Sequence, residues 1–96
     1  MSTAVQQADG RWLVSGGMTL ETAPVLLARG LEALASGEPQ FDLSAVEAID
    51  SSGLAVLFGW QRAASSQGKS LRIANPPRNL VSLAEVYGVA GLLPLS

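Results

Sequence analysis

Short segments with a two-residue apolar repeat alternate along the chain with longer ones that repeat every three to four residues, the pattern of a mixed α/β protein. Residues 3–8 and 11–15 read as two strands around Asp9-Gly10, a dipeptide suited to a tight hairpin. In the second strand Trp12 and Val14 alternate with Leu13 and Ser15, and Gly16-Gly17 is expected to end it. A helix follows, capped by Thr19 or Thr22, with Glu21 in its first turn where negative charge suits the dipole. Pro24 fits only near a helix start, which favours Thr22 as the cap. Leu20, Ala23, Leu27, Leu31 and Leu34 recur at helical spacing and are expected to face the core. Ser36-Gly37 closes this helix.

Phe41 and Leu43 alternate with Gln40 and Asp42, predicting a short third strand. A loop over residues 44–50 should tuck in Val46 and Ile49. Asp50-Ser51-Ser52-Gly53 then opens a helix over residues 54–67, stopped by Gly68. Leu71 and Ile73 mark a fourth strand. Asn75-Pro76-Pro77 breaks the chain and starts a last helix, with Leu80, Leu83, Ala84 and Tyr87 as its buried stripe and Gly88 at its end. An apolar tail, residues 89–95, is expected against the body. The order β-β-α-β-α-β-α predicts a small mixed sheet with helices packed on one face, a single domain over residues 1–96.

Composition narrows what such a domain can do. Surface scaling for a 9.9 kDa chain gives about 5,200 Å² exposed when folded against about 14,400 Å² unfolded, enough burial for a core without staples. The chain has no cysteine and no histidine, so thiolate and imidazole chemistry and the usual transition-metal sites are absent. Asp42, Glu47 and Asp50 are the chief acid–base candidates, yet nothing in the sequence supplies a substrate pocket or oxyanion donors. Gly16-Gly17 lacks the pattern of a phosphate-cradling loop. No enzyme, metal or cofactor is expected. Six basic residues are scattered rather than striped, which argues against nucleic acid.

The longest apolar run, Gly53–Trp60, is far short of the roughly 20 residues of a membrane span, and the N-terminus does not resemble a signal peptide. The expectation is a cytoplasmic protein that reaches a membrane only through another protein. Hydrophobic residues nonetheless make up 48% of the chain, with a mean hydropathy of +0.31. Such an excess over so few charges suggests an apolar patch covered by a partner.

Candidate sites for that patch converge on the second helix. A helix N-terminus carries unpaired N–H groups and partial positive charge, so a phosphate on Ser51 could gain both. It would also add roughly −1.5 to −2 charge beside Asp50. The plainer alternative makes Asp50 and Ser51 ordinary caps. Leu54, Leu57, Phe58 and Ala64 form the expected core stripe, while Val56 and Trp60 sit to one side. With Asp50, Ser51, Ser52 and Gly53 they could form a docking face; a competing reading puts Trp60 in the core and Leu54 at the rim.

The order of elements, with Asp50-Ser51-Ser52-Gly53-Leu54 opening the second helix, resembles the STAS domain family (sulfate transporter and anti-sigma factor antagonist) over nearly the whole chain. Gly16-Gly17-Met18 through Thr22-Ala23 is similar to that family's glycine turn into its first helix. By position, Ser51 matches the phosphoacceptor of the phosphorylated antagonists, and the Ser51-Ser52 pair resembles them. The closing Leu83-Ala84-Glu85-Val86-Tyr87-Gly88-Val89 and Leu92-Leu93-Pro94, with Gly53-Leu54-Ala55-Val56-Leu57, is similar to the MlaB branch, the small STAS subunits of phospholipid-trafficking ABC transporters. MlaB-type proteins often carry threonine and glycine at the positions of Ser51 and Ser52.

That resemblance implies a non-catalytic subunit that binds the transporter's ATPase at the cytoplasmic side of the inner membrane and helps maintain outer-membrane lipid asymmetry. The other branch implies an anti-sigma factor antagonist switched by phosphorylation of Ser51.

Overall fold

The computed structural model describes residues 3–94. Asp9 and Gly10 both adopt positive φ, 51° and 79°, as a two-residue turn of this hand requires. They join β1 (Ala4–Ala8) to β2 (Arg11–Met18) in an antiparallel hairpin that starts at the pair Ala8 and Arg11. β2 then pairs parallel with β3 (Gln40–Ile49), and β3 with β4 (Arg72–Ala74), so spatial order equals chain order. The helices α1 (Ala23–Ser36) and α2 (Ser51–Ser66) are the two crossovers between neighbouring parallel strands. Right-handed connections that step in one direction across a sheet put both helices on the same face. There α1 packs on α2, and α2 on α3 (Arg78–Val86).

Two strand ends differ from the sequence reading for one reason. Gly16-Gly17 does not end β2, because Gly16 takes φ +86° and is absorbed as an irregularity within the strand. Between the pairs Leu13–Asp42 and Ser15–Ala45, and again between Gly16–Val46 and Gly17–Ala48, β3 carries one extra residue. Each extra residue resets the alternation of side chains. Residues 44–49 therefore lose the period-two pattern and look like a loop in sequence, although they continue β3.

The core lies between sheet and helices. Val14, Met18, Phe41 and Leu43 meet Leu26, Leu34, Leu57 and Trp60, all fully buried. At its centre the Trp60 indole stacks on the Phe41 ring, centroids 4.4 Å apart and planes 17° from parallel. Such a pair adds about 0.5–1.5 kcal/mol beyond the area it buries. The exposed surface, 5155 Å², matches the scaling expectation.

The first helix is turned differently from its predicted stripe. Its buried residues are Leu26, Gly30, Ala33 and Leu34, whereas Leu20, Leu27 and Leu31 are exposed. The reason is Gly30: a Cβ there would overlap the Trp60 indole, so α1 presents its glycine to α2 and rotates the leucine row outward. The Trp60 Nε1 donates to the Leu27 carbonyl at 3.3 Å and holds that rotation. Thr22 flanks α1 but makes no side-chain cap; its Oγ1 accepts from Thr19 N and donates to the Gly17 carbonyl. Glu21 precedes the helix. At the other end Lys69 Nζ donates to the Leu34 carbonyl at 2.6 Å, giving α1 the cation its own last turn lacks.

Beyond β4 the fold follows expectation with two corrections. Pro77 flanks α3 as its cap residue instead of entering it, and Tyr87 is exposed, not buried with Leu80 and Ala84. A turn of 3₁₀ helix (Ala90–Leu92) leads to buried Leu93. The Ile73 N–H donates to the Pro94 carbonyl at 3.2 Å, so this tail lies along β4. Leu95, part of the expected tail, falls outside the described residues.

Candidate docking face at the start of α2

Asp50 builds the start of α2. Its extended backbone sets the cap geometry, and one carboxylate oxygen accepts the Ser52 N–H at 2.8 Å. The other accepts the Leu20 N–H at 3.1 Å, from the loop that leads into α1. The Asp50 carbonyl takes the Gly53 N–H at 2.9 Å and the Leu54 N–H at 3.4 Å, and the Asp50 N–H donates to the Met18 carbonyl at 3.2 Å. One residue thus joins the ends of β2 and β3, the entry to α1 and the first turn of α2.

Gly53 is fixed by proximity. A Cβ at that position would lie 2.6 Å from the Met18 carbonyl oxygen and 2.5 Å from Ile49 Cγ1. Only glycine lets the helix press so closely on the two strand ends.

Ser51 projects from this tightly held turn. It is exposed, and its hydroxyl makes no hydrogen bond among the described residues, so the cap is Asp50 alone. The N–H groups of Ser52, Gly53 and Leu54 are already engaged by Asp50. A phosphate on Ser51 would therefore compete with the Asp50 carboxylate for the Ser52 N–H and with the Asp50 backbone carbonyl for the other two, instead of finding them empty. Ser52 is half-buried and faces a groove toward α1.

Three of the predicted docking residues do not reach the surface: Gly53, pressed on the strand ends, and Val56 and Trp60. Trp60 is fully buried and Val56 is 3% exposed, so both support the face from beneath. The competing sequence reading was right about Trp60 but not about Leu54, which is buried as well. The i, i+4 spacing of Val56 and Trp60 points inward because α2 is covered by the sheet and by α1 together, a wider apolar arc than one neighbour requires.

The surface around Ser51 is apolar on both sides. Toward α1, Ala23, Pro24, Leu27, Ser52, Ala55, Val56 and Arg62 line an open groove. Toward α3, Leu54, Ala55, Phe58, Tyr87 and Val89 line another that also takes in Ser51. Leu20 is 74% exposed and Val86 81%, with Val25, Tyr87 and Leu92 also exposed. These are the residues sequence reasoning missed. For the outward face of α1 the signal available was Gly30, a residue that costs about 1 kcal/mol in a helix interior and so marks a close approach; for Val86, Tyr87 and Leu92 there was none.

The remaining carboxylate candidates do not assemble into an acid–base pair. Asp42 is buried in β3, where it accepts from Ser44 N at 2.9 Å and Asn75 Nδ2 at 3.1 Å, with Arg11 Nε 3.6 Å away. Burial pushes its pKa up, but the Ser44 and Asn75 hydrogen bonds and the Arg11 charge outweigh it and hold the group below its ordinary value of 3.8. Asp50 is committed to Ser52 and Leu20, and Glu47 is exposed. Among the described residues no cluster of carboxylates could hold a metal ion, and no helix is long and apolar enough to cross a membrane.

Comparison with known proteins follows this geometry. The family described as "Mlab, STAS domain" matches residues 1–94. The intermembrane phospholipid transport system binding protein MlaB of Haemophilus influenzae is 33% identical over 51 residues, 53% of this chain. The matched segment spans about half, 49%, of that relative's length. Among solved structures, an anti-sigma factor antagonist from Mycobacterium paratuberculosis is similar with a TM-score of 0.67 and 27% identity, over 98% of this chain and 83% of that one. The unphosphorylated anti-sigma factor antagonist SpoIIAA is similar with a TM-score of 0.65 and 12% identity, over 88% and 82%. At that identity the likeness is one of fold.

Proposed function

The chain belongs to the STAS family, and from that membership we propose that it is a non-catalytic subunit of an Mla-type phospholipid-transport complex. In this reading it binds the complex's ATPase subunit and regulates it at the cytoplasmic side of the inner membrane. It thereby serves outer-membrane lipid asymmetry without touching lipid or nucleotide itself. The observation that carries the reading is the exposed start of α2, where Ser51 and Ala55 stand between two apolar grooves. A face with so few charges favours a lasting complex over one that must dissociate on signal. The resemblance to MlaB supplies the kind of partner.

A second reading, an anti-sigma factor antagonist switched at Ser51, is favoured by one feature: the Ser51 hydroxyl is solvent-facing and unbonded among the described residues. The engagement of the neighbouring N–H groups by Asp50 weighs against it, since a phosphoserine there would meet a carboxylate first.

The two readings part on what the protein carries with it in cells. Affinity purification of the tagged chain, with partners identified by mass spectrometry, should recover a transporter ATPase. Recovery of a sigma-sequestering kinase with no ATPase would defeat the proposal.

A further inference from the structure

The two edges of the sheet are finished differently. At β4 the tail lies along the strand, and its Pro94 carbonyl accepts the Ile73 N–H, so that edge is covered. β1 is the other edge, and among the described residues nothing bonds to its outer side. The register shows which groups point there. In a two-residue hairpin the closing pair, Ala8 and Arg11, exchanges both hydrogen bonds, and so do the alternate pairs Gln6–Leu13 and Ala4–Ser15. Val5 and Gln7 therefore turn their N–H and C=O groups outward.

Exposed edges are usually blunted by a lysine, a proline, a bulge or an inward charge. β1 has none of these: it reads Ala4-Val5-Gln6-Gln7-Ala8 and follows β2 without a register shift. Gln6 and Gln7 are exposed. Gln7 pairs with Trp12, and Trp12 with Phe41, so Gln7 lies on the helix side of the sheet. Its exposure shows that the helix layer stops short of the edge there. Across a groove from Val5, α1 carries Arg29 and Glu32, one charge of each sign.

We infer that β1 pairs with β1 of a second copy of the chain, antiparallel and about a two-fold axis at Gln6, joining the two sheets edge to edge. One register uses the whole strand. With Gln6 opposite Gln6 of the second copy, Val5 of each chain faces Gln7 of the other, and these two pairs make four hydrogen bonds from the outward groups. Ala4 meets Ala8 of the second copy, the two Gln6 amides face each other, and no like charges are opposed. Directly opposite residues share a face, so both helix layers stay on one side. The axis also sets the mixed Arg29–Glu32 flank of one α1 toward the same mixed flank of the other, not toward a block of one sign. The strand is thus its own complement, which is what a self-pairing interface requires. Because the tail covers β4, the pairing closes at two chains. Five residues span only about 17 Å of seam, which makes the dimer reversible and dependent on concentration. The pairing stands apart from the role proposed above and uses none of the α2 face.

The test is sedimentation of the full chain over a concentration series at low ionic strength. The parent should move from one chain mass toward two as concentration rises. Gln6→Lys and Gln6→Glu each oppose like charges at the axis and should weaken association about fivefold. An equimolar mixture of the two variants should restore it to at least the parental level, because the mixed pair sets an ammonium against a carboxylate. Gln6 is exposed and its side chain bonds to nothing among the described residues, so both variants keep the fold, which circular dichroism melts check.

A parent that stays monomeric at every concentration overturns the inference. So does a dimer that both variants leave intact, since its interface then lies elsewhere. Variants that dissociate the dimer without rescue in the mixture overturn the two-fold pairing at Gln6. Assembly that grows past two chains overturns the closure at β4.

Discussion

Asp50 and Leu20, thirty residues apart in sequence, are joined by a 3.1 Å hydrogen bond from the Leu20 N–H to the Asp50 carboxylate. The same carboxylate caps α2 through Ser52, so the entries of two helices are fixed to one side chain. Asp50→Ala should lower stability by about 1–2 kcal/mol, the upper part of the range for losing a cap, because two donors lose their acceptor. Ser51→Ala should leave stability unchanged to within about 0.5 kcal/mol, since its hydroxyl bonds to nothing among the described residues. Urea titration of the two variants beside the parent checks both. Equal losses would show that Ser51 shares the cap.

Gly30 offers a test in which two effects compete. Replacing it with alanine gains up to about 1 kcal/mol of helix propensity. The new methyl group would overlap the fully buried Trp60 indole, and overpacking of this kind costs about 1–3 kcal/mol. Steric conflict should win, so Gly30→Ala is expected to lower the melting temperature. A rise would mean that α1 and α2 can separate at that point without penalty.

How much of this was legible beforehand depends on what the pattern encodes. The element order and the Asp9-Gly10 hairpin were readable because each rests on local spacing and turn chemistry. Residues 44–49 were not, since the extra residues of β3 erase its alternation and only the partner strand reveals them. The inward face of α1 was misread because Leu27 and Leu31 form as good a stripe as Leu26 and Leu34. Choosing between two apolar stripes needs the neighbour, here Trp60. At the site, the motif Asp50 to Gly53 stood out in sequence, but the division of labour between Asp50 and Ser51 is a matter of hydrogen-bond geometry.

Trp60 should report a core environment. In a Trp12→Phe background its emission should be blue-shifted and poorly quenched by iodide, and addition of ATPase should barely move it, because the indole is fully buried against Phe41. A red-shifted, quenchable signal that changes with partner would return Trp60 to the docking face.

Acid should loosen the fold partly through Asp42. The native pKa lies below the ordinary value of 3.8 because hydrogen bonds from Ser44 and Asn75 and the Arg11 charge outweigh burial. A depressed native pKa means the unfolded chain binds the proton more readily, so the ionised group stabilises the fold above that ordinary value. That contribution is lost as pH falls through the lower native value. Asp42→Asn should therefore be less stable than the parent at neutral pH and approach it below about pH 4. Thermal melts across that range check the sign; a gap that widens toward acid would reverse it.

The most direct measurement of the central claim is calorimetric titration of the purified chain with the transporter ATPase and, separately, with a sigma-sequestering kinase. The account predicts saturable binding to the ATPase, weakened at least about tenfold by Ser51→Asp, which adds a second carboxylate beside Asp50 on a face with few charges, and no binding heat with the kinase. Tight binding to the kinase with transfer of phosphate to Ser51, and none to the ATPase, would contradict it.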